Sequence, residues 1–412
     1  MTGRCNKAGF QGYGAAVHSS MCSLVAFSAA AFSEGRTSLC RVSNVSLMCC
    51  LLSLFATPSA HAAADQPSVS VSGATTSGQT PASSAKAAGA QASASQAAAV
   101  KLLDGINAAA RHLDYQGSFV FQRNATVQSS RIVHFVDGHD QYQKVDSLDG
   151  AARSVVQHND DVFTFLQKSR TVILDQRKSQ DNFPALLSGG SAHVLDVYRA
   201  SIIGADRVAG IDCRIVALTP NDDLRFAYRL SVDPASGLLI RAQTLDSDGN
   251  VLEQVAFSQV QIGLIAADSR KAIRDSLHQW TGWKLVRAPV EAVSMEAAGW
   301  TLSTLSSDVP GFRKVLELRR PMAAREPGAA PVPVDQAVFS DGVTAVSLFI
   351  EPIDKSDRKP GEGRSGATHL LAEPHGDFWV TLIGEVPALT LRRFAAAIQY
   401  HPPAASPTRP AS

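Results

Sequence analysis

Short β-prone runs in close succession are the feature that most constrains this fold. Between residues 118 and 174, six such runs alternate with turn residues such as Asp137-Gly138 and Asn159-Asp160. Connections this short leave no room for the crossover helices that parallel neighbours need. The sequence therefore predicts a mainly antiparallel sheet. Its first strands are expected at residues 118–122, 131–136, 140–145, 153–158, 162–167 and 170–174.

The sheet is predicted to resume further along the chain. Strands are expected at residues 211–218, 224–232, 238–245 and 251–262, the last three as a meander joined by Asp-rich turns. In the 224–232 run, Phe226 and Tyr228 fall on one face and Arg225 and Arg229 on the other. Phe226 and Tyr228 belong to the apolar face of the predicted sheet.

Helices are predicted on both sides of these strands. Apolar residues recur at helical spacing over residues 98–113, which should open the first domain, and again over residues 268–279. The same spacing between residues 181 and 203 predicts two short helices, the second including Tyr198 and Ile202.

A second, smaller α+β domain is predicted for residues 296–400. The expected strands lie at residues 315–318, 336–339, 345–351, 369–372 and 378–384, with loops at 321–333 and 354–366. A closing helix over residues 388–399 should pack one apolar face on this sheet. The first domain is assigned to residues 98–263, with the inter-domain connection at 264–295.

The N-terminal hundred residues indicate export. An apolar run of about a dozen residues precedes Ala60-His61-Ala62, which is typical of a signal peptide with a small-residue cleavage site. Residues 1–62 are therefore predicted to be a signal peptide, with Met21 as an alternative start. The Ala/Ser-rich segment 63–97 and the proline-rich tail 401–412 are predicted to be disordered.

Composition and motifs indicate neither nucleic-acid binding nor catalysis. Lys+Arg number 38 and Asp+Glu 37, without the basic cluster that a phosphate backbone requires. Only Cys213 lies outside the predicted signal peptide, and His134 and His139, expected to face solvent, have no obvious third ligand. We predict no metal, no cofactor and no enzyme activity.

Aromatic side chains concentrate on one predicted sheet face. Period-two aromatics either fill an ordinary core, the default interpretation from these residues alone, or line a lipid-sized cavity. The candidates for a lipid cavity are Phe119, Phe121, Phe163, Phe165, Phe226 and Tyr228.

Five segments carry a resemblance to a known family: LLDGINAAARHLDYQGSFVFQ (102–122), residues 225–257 with DPASGLLIRAQTLDSDGNVLEQVAF, GWTLSTLSSDVPGFRK (299–314), VFSDGVTAVSL (338–348) and TLIGEVPALTLRRFAAAI (381–398). Together they resemble the RseB/MucB family of periplasmic regulators of sigma-E/AlgU-type envelope-stress sigma factors.

The resemblance implies a LolA/LolB-like incomplete antiparallel β-barrel with helices, followed by a smaller C-terminal α+β domain. It implies a non-catalytic protein that binds the periplasmic domain of an RseA/MucA-type membrane anti-sigma factor, protects it from regulated proteolysis and is displaced by lipopolysaccharide or lipoprotein acyl chains. Homo-oligomerisation stays open.

The region around the last helix is our candidate for part of the partner surface, with Glu385, Arg392 and Arg393 as candidate contacts. A strand-to-helix corner with no partner is an equally good interpretation of the same residues. The alternative function is a periplasmic lipid or lipoprotein carrier of LolA/LolB type. We further expect that acyl chains in the first domain favour a domain arrangement that binds the anti-sigma factor less well.

Overall fold

The computed structural model describes residues 81–176, 183–187, 191–287, 290–301, 305–322, 331–353 and 358–402. The predicted signal peptide lies outside the described residues, as does almost all of the predicted tail. Within the described part of the chain, no helix is both long and apolar enough to cross a membrane. The described residues from 91 onward belong to one compact unit.

Twelve strands form one large open sheet. Each strand pairs antiparallel with its neighbours except at one edge, where β12 runs parallel to β6. The strand order is β12-β6-β5-β4-β3-β2-β1-β11-β10-β9-β8-β7. The strands are β1 (Tyr115–Arg123), β2 (Thr126–Asp137), β3 (Asp140–Ser147), β4 (Arg153–His158), β5 (Asp161–Leu166), β6 (Thr171–Gln176), β7 (Tyr198–Val208), β8 (Ile211–Pro220), β9 (Ala227–Val232), β10 (Leu239–Leu245), β11 (Val251–Ile262) and β12 (Lys284–Arg287).

Helix α1 (Pro81–His112) packs on one face of this sheet. Leu103 and Ile106 have no exposed area and belong to a core that includes residues of β1, β2 and β7–β11. The helix begins well before residue 98, where the sequence predicted its start. Gly237, with φ +79°, lies against Gly105 of the helix, where a Cβ would sit 3.0 Å from the Gly105 carbonyl oxygen. This close approach seats the helix on the β9–β10 turn.

The prediction of two helices between residues 181 and 203 is wrong in most of its length. Residues 183–187 form a turn and an irregular segment, and only α2 (Ser191–Val197) is helical. Tyr198 and Ile202 belong to β7, where they pair with Pro220 and Val216 of β8. Residues four apart share a face in a strand as well as in a helix, so their spacing does not distinguish the two.

A second aromatic-rich core lies under helix α3 (Ala267–Ser276). Ile273 and Leu277 pack there with Phe135 of β2 and with residues of β3–β6. Arg270 secures the helix by donating to the Asp114 carboxylate and, at 3.1 Å, to the carbonyl oxygen of Val136. The predicted meander is confirmed, since β9, β10 and β11 are consecutive neighbours in the sheet.

A smaller six-stranded antiparallel sheet follows, in the order β14-β15-β16-β19-β18-β17. The C-terminal helix α5 (Ala388–Ala397) buries Leu391 and Phe394 in the core of this sheet. The prediction of a loop over residues 354–366 missed β17. The remaining elements are β13 (Trp300–Thr301), α4 (Leu305–Asp308), β14 (Arg313–Met322), β15 (Val332–Ser340), β16 (Ala345–Pro352), β17 (Gly361–Ser365), β18 (Thr368–His375), β19 (Phe378–Gly384) and β20 (Gln399–Tyr400). The predicted fold class, an incomplete barrel-like sheet with helices plus a smaller α+β part, is confirmed.

Candidate functional site

Two groups of buried charged side chains lie where the twelve-stranded sheet meets the six-stranded sheet. We call this contact the seam. The first group is centred on Arg225 and Asp341, and the second consists of Arg123, Glu253 and Glu385. Charged side chains are seldom fully buried unless they are paired, because removal from water is costly. The seam, with its buried and paired charged side chains, is therefore our candidate functional site within the described structure.

Arg225 is the hub of the first group. It lies in the β8–β9 connection, its side chain is fully buried, and its Nε donates to Asp341 at 2.8 Å. A second nitrogen donates to Asp222 at 2.5 Å and a third to the carbonyl oxygen of Pro310. The guanidinium also lies 4.8 Å from the ring centre of Phe312. One side chain of the large sheet thus binds two separate segments of the small-sheet region.

Asp341 receives these interactions in the β15–β16 turn. Its Oδ1 accepts hydrogen bonds from the amides of Val343 and Thr344, each at 2.9 Å, and Tyr198 donates to Oδ2 at 3.5 Å. Burial raises the pKa of Asp341, while the two amides and Arg225 oppose that rise. The carboxylate therefore shapes its own turn and anchors it to the large sheet.

Glu253 of β11 is the best-bound carboxylate of the second group. Arg123 of β1 donates to it from Nε at 2.8 Å, and the amide of Ala367 donates at 2.8 Å from the β17–β18 turn. Gly366 in that turn has φ +60°, and a Cβ there would collide with the Glu253 carboxylate. Glycine is thus required both by the backbone conformation and by the approach of Glu253.

Glu385 is different because no described residue donates a hydrogen bond to its carboxyl group. It lies between β19 and α5 and is only 5% exposed. Burial, together with the negative charge of Glu253, raises the pKa of Glu385 to about 8, and Arg123 opposes this rise. Burial also raises the pKa of Glu253, against the hydrogen bonds and charge of Arg123 and Ala367. Two buried carboxyl groups thus share one guanidinium.

One neutral hydrogen bond and one ring contact also join the two surfaces. Thr390 of α5 donates to the carbonyl oxygen of Leu224 at 2.7 Å across the seam, whereas the Thr344 hydroxyl donates to the backbone carbonyl of Glu385 at 3.1 Å within the small-sheet region. The ring of His369 stacks on Phe226 with centres 6.1 Å apart. The strand-to-helix corner at residues 385–390 is therefore attached to the β8–β9 connection of the large sheet through the Thr390 side chain.

The six aromatic residues proposed as cavity lining do not share one environment. Phe119, Phe121 and Tyr228 belong to or pack against the core around α1, whereas Phe163 and Phe165 lie against Trp280 and Trp283. Phe226 faces His369 at the seam. Different positions along a curved sheet separate them, although alternation correctly places most of them on buried faces. Of the six, the structure brings only Phe119, Phe121 and Tyr228 together in one core.

The partner-surface candidates also separate. Glu385 is buried in the seam, so it is not accessible at the surface as the sequence interpretation required. Arg392 and Arg393 are exposed on α5, and Arg392 pairs with Glu362 of β17 through two contacts of 2.7 Å. The corner before α5 separates these residues, because it turns Glu385 toward the large sheet and the two arginines toward solvent.

His134 is buried, contrary to the expectation that it faces solvent. It stacks on Tyr115 at 4.8 Å, and its Nδ1 lies 2.7 Å from the carbonyl oxygen of Leu113. Burial lowers its pKa. Among the described residues, no group of three or more His, Cys, Asp or Glu side chains is arranged to hold a metal ion.

Sequence reasoning missed the seam itself. One signal was present: Glu253 shares a strand face with Val255 and Phe257, which are buried, so its charge falls on an apolar face. A charged residue at such a position indicates a buried partner. Glu385 and Asp341 lie in turns and carry no comparable signal.

The comparisons with known proteins cover both sheet regions. The sequence profiles of the MucB/RseB N-terminal and C-terminal domains match residues 98–276 and 294–399. The chain belongs to the MucB/RseB family. Its relatives include the sigma factor AlgU regulatory protein MucB of Pseudomonas aeruginosa, 28% identical over 302 residues, with 72% of this chain and 89% of that protein covered. The sigma-E factor regulatory protein RseB of Haemophilus influenzae is 24% identical over 305 residues, covering 73% and 91%.

Solved MucB structures share this architecture. The MucB chain in a crystal structure of MucB in complex with MucA(peri) has 25% sequence identity and a TM-score of 0.56, covering 74% of this chain and 99% of MucB. A second structure, the Pseudomonas aeruginosa MucA/MucB complex, matches with 26% identity and a TM-score of 0.57, again over 74% and 99%. The named members of this MucB/RseB family are regulatory proteins.

Proposed function

We propose that this chain binds the periplasmic domain of a MucA/RseA-type anti-sigma factor, protects it from regulated proteolysis and so restrains an envelope-stress sigma factor. The observation that carries the proposal is the match, over 99% of its length, to MucB in a complex with MucA(peri). The predicted signal peptide supports a periplasmic location. Binding without catalysis agrees with the regulatory names of the relatives.

The proposed partner surface includes the outer face of α5. Arg392 and Arg393 are exposed there, while Leu391 and Phe394 face the core. Two adjacent guanidinium groups on a helix held rigid by its buried face suit an acidic partner segment. Because Arg392 already pairs with Glu362, a partner carboxylate would exchange for that exposed ion pair rather than bury an unpaired charge.

The proposed lipid response involves the concave core around Phe119. Phe119, Phe183 and Phe257 form a three-ring cluster, with ring centres 5.5, 6.3 and 4.9 Å apart. Phe183 belongs to segment 183–187, whose five side chains are all buried against this core. An acyl chain entering here would take the place of that segment, and the large sheet would transmit the change to the seam. A lipid or lipoprotein carrier is the alternative function for the same core.

A protease-protection assay tests the proposal. The mature chain from residue 63 is mixed with the cognate anti-sigma periplasmic domain and the site-1 protease, with and without lipopolysaccharide. We expect the chain to slow cleavage and lipopolysaccharide to restore it. Unchanged cleavage, combined with no binding, would overturn the regulator and leave the carrier. Protection that lipopolysaccharide does not relieve would reject only the lipid step.

A further inference from the structure

The second group of the seam has one positive charge for two buried carboxyl groups. Arg123 and the Ala367 amide occupy the carboxylate of Glu253, and the carboxyl of Glu385 receives no hydrogen bond from the described residues. Glu253 and Arg123 belong to the large sheet, whereas Glu385 and Ala367 belong to the small-sheet region. The protonation state of Glu385 therefore determines whether the two surfaces meet with balanced or excess negative charge.

We propose that Glu385 and Glu253 form a proton-dependent latch, in which a proton held by Glu385 keeps the six-stranded sheet seated on the twelve-stranded sheet. With Glu385 neutral, Glu253 and Arg123 are a balanced pair. Loss of the proton leaves a second buried negative charge, to which no described residue donates a hydrogen bond, and this favours separation of the two surfaces and access of water. This inference does not depend on the proposed anti-sigma partner.

The groups that face this pair come from several elements. Arg123 of β1 attracts both carboxylates, and Tyr228 of β9, whose pKa burial raises, interacts electrostatically with both. Asp341 adds negative charge near Tyr228. His369 of β18 lies near Val386 and has a pKa lowered by burial, so it adds no positive charge near neutral pH. Arg123 is thus the principal source of positive charge for two acids.

The raised pKa of Glu385 determines how stability changes with pH. Burial and Glu253 raise the pKa of Glu385 from 4.5 to about 8, so the folded chain holds this proton more tightly than the unfolded chain. The contribution to stability is complete below the unfolded value. It declines as pH rises between these two values and is lost above about pH 8.

Unfolding of the full mature chain as a function of pH tests the latch. E385Q mimics the neutral acid. We expect wild type and E385Q to have similar melting temperatures at about pH 4, and E385Q to melt progressively higher above that pH, by at least about 2 °C at about pH 9. E296Q, which alters an exposed glutamate of the small-sheet region, should follow the wild-type profile. Parallel pH profiles for wild type and E385Q would overturn the latch.

A distance measurement distinguishes a latch from a stability effect within one sheet. Spin labels at Asp160→Cys and Asp377→Cys, two exposed turn positions on the different sheets, leave the buried Cys213 unlabelled. We expect the distance distribution to broaden or lengthen at about pH 9 and to stay narrow when E385Q is added. A distribution that is unchanged with pH, or that changes equally in E385Q, would contradict the proposal. Neither measurement uses an anti-sigma factor, so failure here leaves the proposed function intact.

Discussion

The two charged groups of the seam contain similar side chains and differ in the number of donors. Arg225 binds Asp341, Asp222 and the Pro310 carbonyl, and Asp341 also receives two backbone amides. Arg123 serves Glu253 directly, while Glu385 has no hydrogen bond from the described residues. Burial alone therefore does not determine pH sensitivity. The supply of donors decides whether a buried acid acts as a fixed anchor or as a titrating group.

The seam also differs from the core around α1. That core is apolar, and its stability should be almost independent of pH near neutrality. In the seam, each paired buried charge depends on a specific partner, so the loss of one group of a pair leaves the other uncompensated. We expect large effects from single substitutions in both regions, with a pH-dependent part only at the seam.

The largest effect is expected from removing the Asp341 carboxylate. D341A leaves Arg225 buried with fewer partners and removes the acceptor for two amides, which should cost about 3–5 kcal/mol in urea unfolding. D341N keeps an oxygen for those amides and should cost less. A loss below about 1 kcal/mol for D341A would show that the Arg225 group is not an anchor.

A core substitution provides the comparison. L103A removes a side chain of α1 that has no exposed area, and should cost about 2–5 kcal/mol by lost burial and a cavity. Its loss measured by urea unfolding should be the same at about pH 6 and about pH 9. A clear pH dependence of this loss would indicate that the two regions are not energetically distinct.

A neutral seam contact should have a smaller effect. T390V removes the 2.7 Å hydrogen bond to the Leu224 carbonyl while keeping the side-chain shape, at an expected cost of about 1–3 kcal/mol. T390S keeps the hydroxyl and serves as the matched control in the same urea titration. A loss in T390V no larger than the loss in T390S would contradict a specific contribution from the hydrogen bond.

The smallest effect on stability is expected at the surface. R392A removes an exposed pair with Glu362 and should leave the unfolding midpoint unchanged, because solvent screens such pairs. The same variant should weaken binding to the anti-sigma periplasmic domain in a calorimetric titration. Unchanged binding in R392A and in R393A would remove α5 from the proposed partner surface.

Local patterns predict much of the fold. The observed bounds of β4, β11 and β19 match the predicted runs, because turn residues flank each of them and their burial alternates or is continuous as expected. Tyr198 and Ile202 were misassigned because a spacing of four fits both a helix and a strand. The burial of Arg225 was not predicted, because its polar strand face reveals nothing about a second sheet that covers it.

The site was harder to predict because its members are far apart in sequence. Glu253 lies near the middle of the folded region and Glu385 near its C-terminal end, and periodicity describes only residues within one element. Partner choice depends on tertiary packing that brings β11 to the β17–β18 turn and to the corner before α5. The exposed arginines of α5 were accessible to prediction, since apolar spacing defines the buried face and leaves them outside.

Direct binding tests the central functional claim. The mature chain is titrated calorimetrically with the cognate anti-sigma periplasmic domain at neutral pH, using wild type and the double variant R392A/R393A. We expect saturable binding by wild type and a Kd at least about tenfold larger for the double variant, equivalent to about 1.4 kcal/mol of lost binding free energy. Absence of binding by a folded wild-type chain would contradict the proposed function.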